Sequence, residues 1–295
     1  MKPISPPPTF LTRLWVVTAT ALLLVGAWLT WDVYVDYQVV WEREHRVLEI
    51  DARNRATQIA GTVRSIDVML ENVELDWPTV SRLPQRALIE RLKQYTRQVP
   101  ETRSLTVMDA KGRVVGSTEA SVIGFDASER PYFVRLLAAH RAGHGNASVV
   151  LSPYKSADDA SGRFVGVMMA AIAPKQFGEA LRSVKAMADE EALVAHENGE
   201  IIYAIPLSDH LNGKSLAGSL SLREFMASGR QGTRVEAHLG AITGREVVSV
   251  VHSVKGTPLF VESFRTTESL LSSWRTSLIR RLLGFSALAA ILLLM

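Results

Sequence analysis

The first long run of one character is apolar. From Leu14 to Trp31 the chain reads LWVVTATALLLVGAWLTW, 18 residues without a charge. As a helix it would be apolar on every side and about 27 Å long, close to the hydrocarbon thickness of a bilayer. A membrane helix over 13–33 is predicted. No small-residue cleavage site follows, and Trp28, Trp31 and Tyr34 are placed as an interfacial aromatic belt, so the anchor is expected to stay uncleaved. Beyond it the period becomes helical and amphipathic. Ile59, Val63, Ile66, Leu70 and Val73 step by four, three, four and three, which is one helical face. No proline interrupts the segment before Trp77-Pro78, so a helix of up to about forty residues, about 60 Å long, leaves the membrane. Its stripe suits packing on its own domain. Its lower part also suits a seam with a second copy. A further helix runs from about Pro84 to before Pro100, with Leu88, Leu92 and Tyr95 on one face.

The period then shortens to two. SLTVMDAKGRVVGST is a hairpin with its turn at D-A-K-G. ASERPYFVRLL opens a helix, with Ser128 as the expected N-cap. NASVVLSPY and RFVGVMMAAIA read as two strands separated by the polar loop KSADDASG, and a helix from about Pro174 to Ala188 closes the unit. The plan then repeats. ALVAHENGEIIYAIP is a hairpin with an Asn-Gly turn, SLREFMASG a helix, and GTRVEAHLG, REVVSVVHSV and PLFVESFR three strands. The chain thus divides into a tail (1–12), the anchor (13–33), the helical segment (34–100), a first module (101–188), a second module (189–266), an exit helix (267–280) and a second membrane helix (281–295). The first module reads one strand short, because only nine residues separate Tyr154 from Phe164. LLGFSALAAILLLM spans about 21 Å as a helix, short of a bilayer, and is expected to continue past Met295.

Charge changes the picture in one respect. Of 33 basic residues, Lys2, Arg13, Arg280 and Arg281 lie outside the window Asp32–Ser277, which holds all 30 acids. The window is therefore nearly neutral and lacks the footprint of a nucleic-acid binder. The tail carries Lys2 and Arg13 and no acid, which suits a cytoplasmic location and would leave residues of about 34–278 outside the inner membrane. The absence of cysteine fits an oxidising compartment without a disulfide framework.

Four stretches, SLTVMDAKGRVVGST, DASERPYFVRLL, SGRFVGVMMAAIAPKQFGEAL and VKGTPLFVESFRTTESLLSSWR, in this order and spacing, resemble the double Cache sensor regions of bacterial transmembrane receptors. The likeness covers roughly residues 35–276. It implies an α+β fold, in which a long N-terminal helix carries two tandem PAS-like (Cache) modules with antiparallel sheets, flanked by transmembrane helices. It implies a homodimer and a small-molecule ligand in the membrane-distal module, where the R-x-aromatic-aromatic element lines the pocket. The strand PLFVESF leading to a Trp-Arg helix is most similar to regions ahead of GGDEF-type diguanylate cyclases. Histidine kinases, chemotaxis receptors and an anchored binding or scaffold protein are the alternatives. Phe125 stands where amino-acid binders of the family have Tyr, and Asp158 and Asp159 fall in a loop, so no amino-acid ligand is expected.

The candidate chemistry is that of Arg130, Tyr132, Phe133, Tyr154 and Lys155. A guanidinium is a planar fork suited to a carboxylate, and Pro131 in a first helical turn costs no hydrogen bond. Tyr132 and Phe133 point to different faces, so one can wall a pocket while the other packs in the core. Tyr154 and Lys155 end a strand expected to face this helix. The competing reading pairs Arg130 with Asp126, Glu129 or an exposed neighbour. His140 and His144 have a metal-like spacing but no third ligand, so no metal is expected. NGKS at 212–215 lacks the glycine of a phosphate loop. No nucleophile–base pattern is present, and neither a catalytic residue nor a cofactor is predicted.

Overall fold

The computed structural model describes residues 8–130, 132–134, 137–138, 146–149, 152–158, 164–172, 174–183, 189–206 and 214–294. Its first element, α1 (Pro8–Leu75), is a single helix of 68 residues, about 102 Å long at about 1.5 Å per residue. The predicted membrane helix and the helix beyond it are therefore one continuous rod. It contains a stretch long and apolar enough to cross a membrane, with mean hydropathy 1.8, none of it covered by the rest of the chain. The rod stops at Leu75, just before Trp77-Pro78. Two shorter helices follow, α2 (Trp77–Val80) and α3 (Gln85–Gln98). Asp76 clamps the corner. Its Oδ2 accepts from Tyr95 Oη at 2.8 Å and from Arg91 Nε and Nη2 at 2.9 and 2.8 Å.

Each module is built on a five-stranded antiparallel sheet. The first holds β1 (Thr102–Asp109), β2 (Val114–Ser117), β3 (Asn146–Val149), β4 (Ser152–Asp158) and β5 (Phe164–Ile172), in the order β2-β1-β5-β4-β3. The second holds β6 (Glu191–His196), β7 (Ile201–Ile205), β8 (Thr233–Leu239), β9 (Glu246–Ser253) and β10 (Leu259–Thr266), in the order β7-β6-β10-β9-β8. The winding is the same twice over. An opening hairpin takes one edge, and the last strand made slots in beside it at the centre. The first module is thus not a strand short. NASVVLSPY belongs to two strands, since Val149 pairs with Ser152 across a two-residue connection. Asp158 likewise ends β4, opposite Phe164, rather than lying in a loop; Asp159 is outside the described residues.

The hairpin turns are where predicted, and side-chain chemistry explains them. Asp109 Oδ1 accepts from the backbone N–H of Lys111 and Arg113 at 2.9 and 3.0 Å, and Gly112 takes φ 85°. Asn198 Oδ1 accepts from Glu200 N at 2.9 Å, and Gly199 takes φ 92°. Positive φ with a side chain is disfavoured, so glycine is needed at both. Further helices are α4 (Pro174–Ser183), α5 (Leu220–Ala227), capped by Ser219 Oγ accepting from Leu222 N at 3.2 Å, α6 (Thr267–Leu270) and α7 (Ser272–Leu294).

The stripe read from the sequence is the spine of the core. Ile59, Val63, Ile66, Leu70 and Val73 are buried against β1, β5, β6 and β10 together with Leu88, Leu92 and Tyr95 of α3. One cluster thus joins α1 to both sheets. A buried polar node reinforces it. Arg55 of α1 donates from Nε to Leu181 O at 3.0 Å and from Nη1 to Ser263 Oγ at 2.6 Å and to Glu190 Oε1. Four segments (α1, the end of α4, the link between the modules, and β10) meet at this one guanidinium. Arg265 of β10 repeats the device at the edge, bonding Glu44 of α1 and, at 2.7 Å, Asp189.

Helix α7 runs back along the start of α1. Trp274 Nε1 donates to Val33 O at 3.4 Å and its ring meets Tyr37 edge-on at 5.3 Å, while Phe285 lies against Gly26. Rising numbers on one helix meet falling numbers on the other, so the pair is antiparallel. Arg281 Nη1 sits 3.0 Å from Asp32 Oδ2 and 3.3 Å from Asp36 Oδ2, a cross-link at the edge of the apolar stretch.

Candidate functional site

The sheet of the first module has two faces, and β1 shows how they divide. Leu105 and Val107 point into the core beside α1. Thr106 and Met108, on the alternate positions, point the other way. On that far side the chain from Glu119 to Tyr132 folds over the sheet and encloses a cavity of about 540 Å³. Its floor comes from Ser104, Thr106, Met108 and Met169 of the central strands, its wall from Val122, Phe125 and Tyr132. Thr106 Oγ1 and Ser117 Oγ share a buried hydrogen bond of 2.9 Å beneath it. Charge is confined to the mouth, with Arg103 and Arg130 against Glu119.

The covering segment is held by its own backbone. Gly124 N donates to Val114 O, Val114 N to Phe125 O and Ala127 N to Gly112 O, each at 2.8–2.9 Å. Gly112 is indispensable for a second reason: a Cβ there would come within 2.8 Å of Ser128 Cα. Ser128 N donates to Asp126 Oδ1 at 3.0 Å, and that bond holds the Asp126 carboxyl below its ordinary range. The expected cap is displaced by two residues. Arg130 O accepts from Val134 N at 3.1 Å, which puts Arg130, not Ser128, at the N-cap position.

Arg130 is exposed and has no ion-pair partner among the described residues, so the pairing with Asp126 or Glu129 is not formed. Its guanidinium carbon lies 5.2 Å from the centre of the Phe125 ring, a cation–π contact that aims the group along the mouth. Tyr132 is half-buried in the wall. Burial pushes its phenol up, and Arg130 pulls the other way. Phe133 turns to the core instead, against Met108, Val114 and Val167, and meets Phe164 edge-on at 6.4 Å. Tyr154 lies in the backbone row of Thr106 and Met169, the cavity row. Lys155 lies in the next row, with Val107 and Met168. Their side chains are outside the described set, as are His140 and His144. No group of three or more potential metal ligands occurs among the described residues.

Four polar contributors were missed from the sequence: Arg103, Glu119, and the Ser104–Thr106 pair. Alternation along β1 carried a signal for the last, since Ser104 and Thr106 sit opposite Leu105 and Val107. Arg103 enters the mouth through an irregularity in the β1–β5 register between Thr102 and Ser104, which no local pattern announces.

The profile of the Cache domain family matches residues 38–274. The chain belongs to the Cache domain family. No curated protein matches the sequence significantly. Among solved structures, the extracellular domain of rpHK1S-Z16, described as a histidine kinase, is 19% identical with a TM-score of 0.67. It aligns with 80% of this chain and 100% of its own. The ligand-binding domain of the Pseudomonas fluorescens chemoreceptor CtaA, solved with L-isoleucine, is 16% identical with a TM-score of 0.57, over 81% of this chain and 99% of its own. That of the Pseudomonas aeruginosa PAO1 chemoreceptor PctC, solved with GABA, is 18% identical with a TM-score of 0.54, over 75% and 99%. These likenesses establish the Cache fold, with its long helix and two PAS-like sheets.

The second Cache module buries an acid. Glu262 of β10 is 5% exposed, and its Oε2 accepts from Ser221 Oγ at 3.2 Å. Burial outweighs the hydroxyls of Ser221 and Ser249 and pushes the carboxyl up to about 7.

Proposed function

We propose that this chain is the extracytoplasmic sensing region of a bacterial transmembrane receptor, and that the first module binds a small molecule bearing a carboxylate. The observation that carries the ligand class is Arg130, a guanidinium with no ion-pair partner among the described residues, held by Phe125 at a cavity of about 540 Å³. Arg103 adds a second positive charge at that mouth, and Thr106 supplies a hydroxyl at the floor. The molecules bound in the CtaA and PctC domains, L-isoleucine and GABA, each carry a carboxylate, which supports the class. No amine is required of the ligand here.

In this reading α1 and α7 cross the inner membrane as an antiparallel pair, with the modules in the periplasm. Ligand that favours one packing of the helices over another shifts the receptor by its difference in affinity for the two states. Two copies associate along α1, where Val35, Val39 and Ile50 are exposed beside a groove that also involves Glu42, Arg43 and Arg46. The cytoplasmic output is a diguanylate cyclase, supported by the resemblance of the exit segment. A histidine kinase is the second reading, favoured by the likeness to rpHK1S-Z16.

The test is calorimetric titration of the whole chain in lipid nanodiscs with a panel of small carboxylates that includes phenylacetate. At least one is expected to bind saturably, and Arg130→Ala to weaken it by about 10–100-fold, the loss expected for one charge-assisted bond. The melting temperature should not change, because Arg130 is exposed. Unchanged affinity in Arg130→Ala, or no binding by any carboxylate, refutes the proposal.

A further inference from the structure

The central strands of the two sheets differ on the face turned away from α1. There β5 presents Val167 and Met169, whereas β10 presents Phe260, Glu262 and Phe264. Glu262 lies in register between Leu193 of β6 and Val251 of β9, both fully buried. Its carboxyl meets two hydroxyls, Ser221 of α5 and Ser249 of β9. A carboxylate offers about four acceptor positions, so two hydroxyls leave an ionised Glu262 short of partners. Charged groups on the surrounding elements are turned elsewhere. Glu191 of β6 is paired electrostatically with Arg245. Arg223 and Glu224 of α5, Glu236 of β8 and Glu246 of β9 are exposed, and His238 bonds the backbone of its own strand. Among the described residues none of these groups pairs with Glu262.

A turn closes over this carboxyl. It joins β8 to β9, with Gly240 N donating to Arg245 O at 2.8 Å and Gly244 N to Gly240 O at 2.9 Å. Glycine is required at its start, where a Cβ would lie 2.6 Å from Thr243 Oγ1. Ile242 packs down on the apolar cluster of Phe225, Phe260 and Phe264. Beneath the turn, Gly240, Ala241, Ile242 and Thr243 enclose with Ser221 and Glu262 a void of about 10 Å³. That is room for about one water, too little to hydrate an anion. Ala241, Gly244 and Arg245 are exposed, so the turn itself separates Glu262 from solvent on this side.

We propose that the turn of residues 240–245 is a proton-operated flap, closed over protonated Glu262 and released when the carboxyl ionises and draws in water, so that the second module responds to pH independently of the first. A neutral carboxyl fits an apolar setting with two hydroxyls, and an anion there is costly without water. Burial lifts the closed carboxyl to about 7, against 4.5 for one in water. Closure is therefore favoured in full below 4.5 and loses that advantage as pH rises through about 7. The strand that bears Glu262 leads directly to the membrane. Its last residue, Thr266, caps α6 by accepting from Ser269 N at 3.2 Å, and α7 begins at Ser272. Use of the flap as a signal rests on the receptor reading; the flap itself does not.

Hydrogen–deuterium exchange of the whole chain in nanodiscs tests it, at about pH 5.5 and about pH 8, with Glu262→Gln measured beside wild type so that the intrinsic exchange rate cancels. The Gly240 and Gly244 amides of wild type are expected to gain about 5–30-fold over the variant between the two conditions. The upper bound is tenfold for each pH unit between 5.5 and the closed value of about 7. Ser221→Ala removes a donor that favours the ionised form, and should move the midpoint of the response to higher pH. Amides of β1 should show no such gain, and Arg130→Ala should leave the response intact, which separates the flap from the carboxylate site. Turn amides that follow Glu262→Gln at both pH values overturn the proposal. So does an equal gain across β9 and β10, which is loss of the whole module and not release of a flap.

Discussion

Replacing Glu262 by Gln isolates one proton. The carboxyl is buried on β10 among Ser221, Ser249 and apolar neighbours, with no described cation paired to it, and it titrates at about 7 instead of 4.5. Every tenfold difference in proton affinity between the folded and unfolded chains corresponds to about 1.4 kcal/mol, so the whole displacement is worth about 3 kcal/mol. Below the unfolded value both states hold the proton and nothing is lost. Between 4.5 and about 7 the folded chain keeps a proton that the unfolded chain releases, so stability falls as pH rises. Above about 7 the loss is complete. Gln carries no such proton. Urea denaturation of the whole chain, followed by circular dichroism from about pH 4 to about pH 8.5, should show wild type losing about 3 kcal/mol relative to Glu262→Gln across that window, then a constant gap. Parallel pH curves for the two proteins would mean that Glu262 does not titrate in the folded state as its surroundings require.

Two further substitutions probe the packing. Arg55→Ala leaves Glu190 buried without its partner and should cost about 3–5 kcal/mol in urea denaturation, whereas Arg55→Met with Glu190→Leu should cost clearly less than the single change. Gly166→Ala drives a methyl into Met108 O, a backbone atom, and should destabilise by about 1–3 kcal/mol. Gly116→Ala meets side-chain atoms of Leu88 and Leu92 and no backbone, and should cost less in the same assay.

The helical scaffold was legible because its signals are local. The stripe from Ile59 to Val73 and the face of Leu88, Leu92 and Tyr95 need only a period. The hairpins need only Asp109-x-x-Gly112 and Asn198-Gly199. The β3–β4 hairpin was not legible, because Val150 and Leu151 between its strands carry none of the turn chemistry that marks the others. With it went the position of Asp158 and the strand count. In the cavity beneath residues 119–130, Arg130 and Tyr132 announced themselves by sitting together at a helix mouth. Arg103 and Glu119 did not, since they reach the same opening only through the register of β1 and the fold of the segment after β2.

The strand order has a consequence for how the protein is made. In each sheet the central strand is the last to be synthesised, so the opening hairpin emerges with its inner edge bare and must wait, for β1, until more than fifty residues later. During that interval a holding factor, or sheer speed of synthesis, has to keep an exposed β-edge from annealing to the wrong neighbour. Two such waits occur in succession.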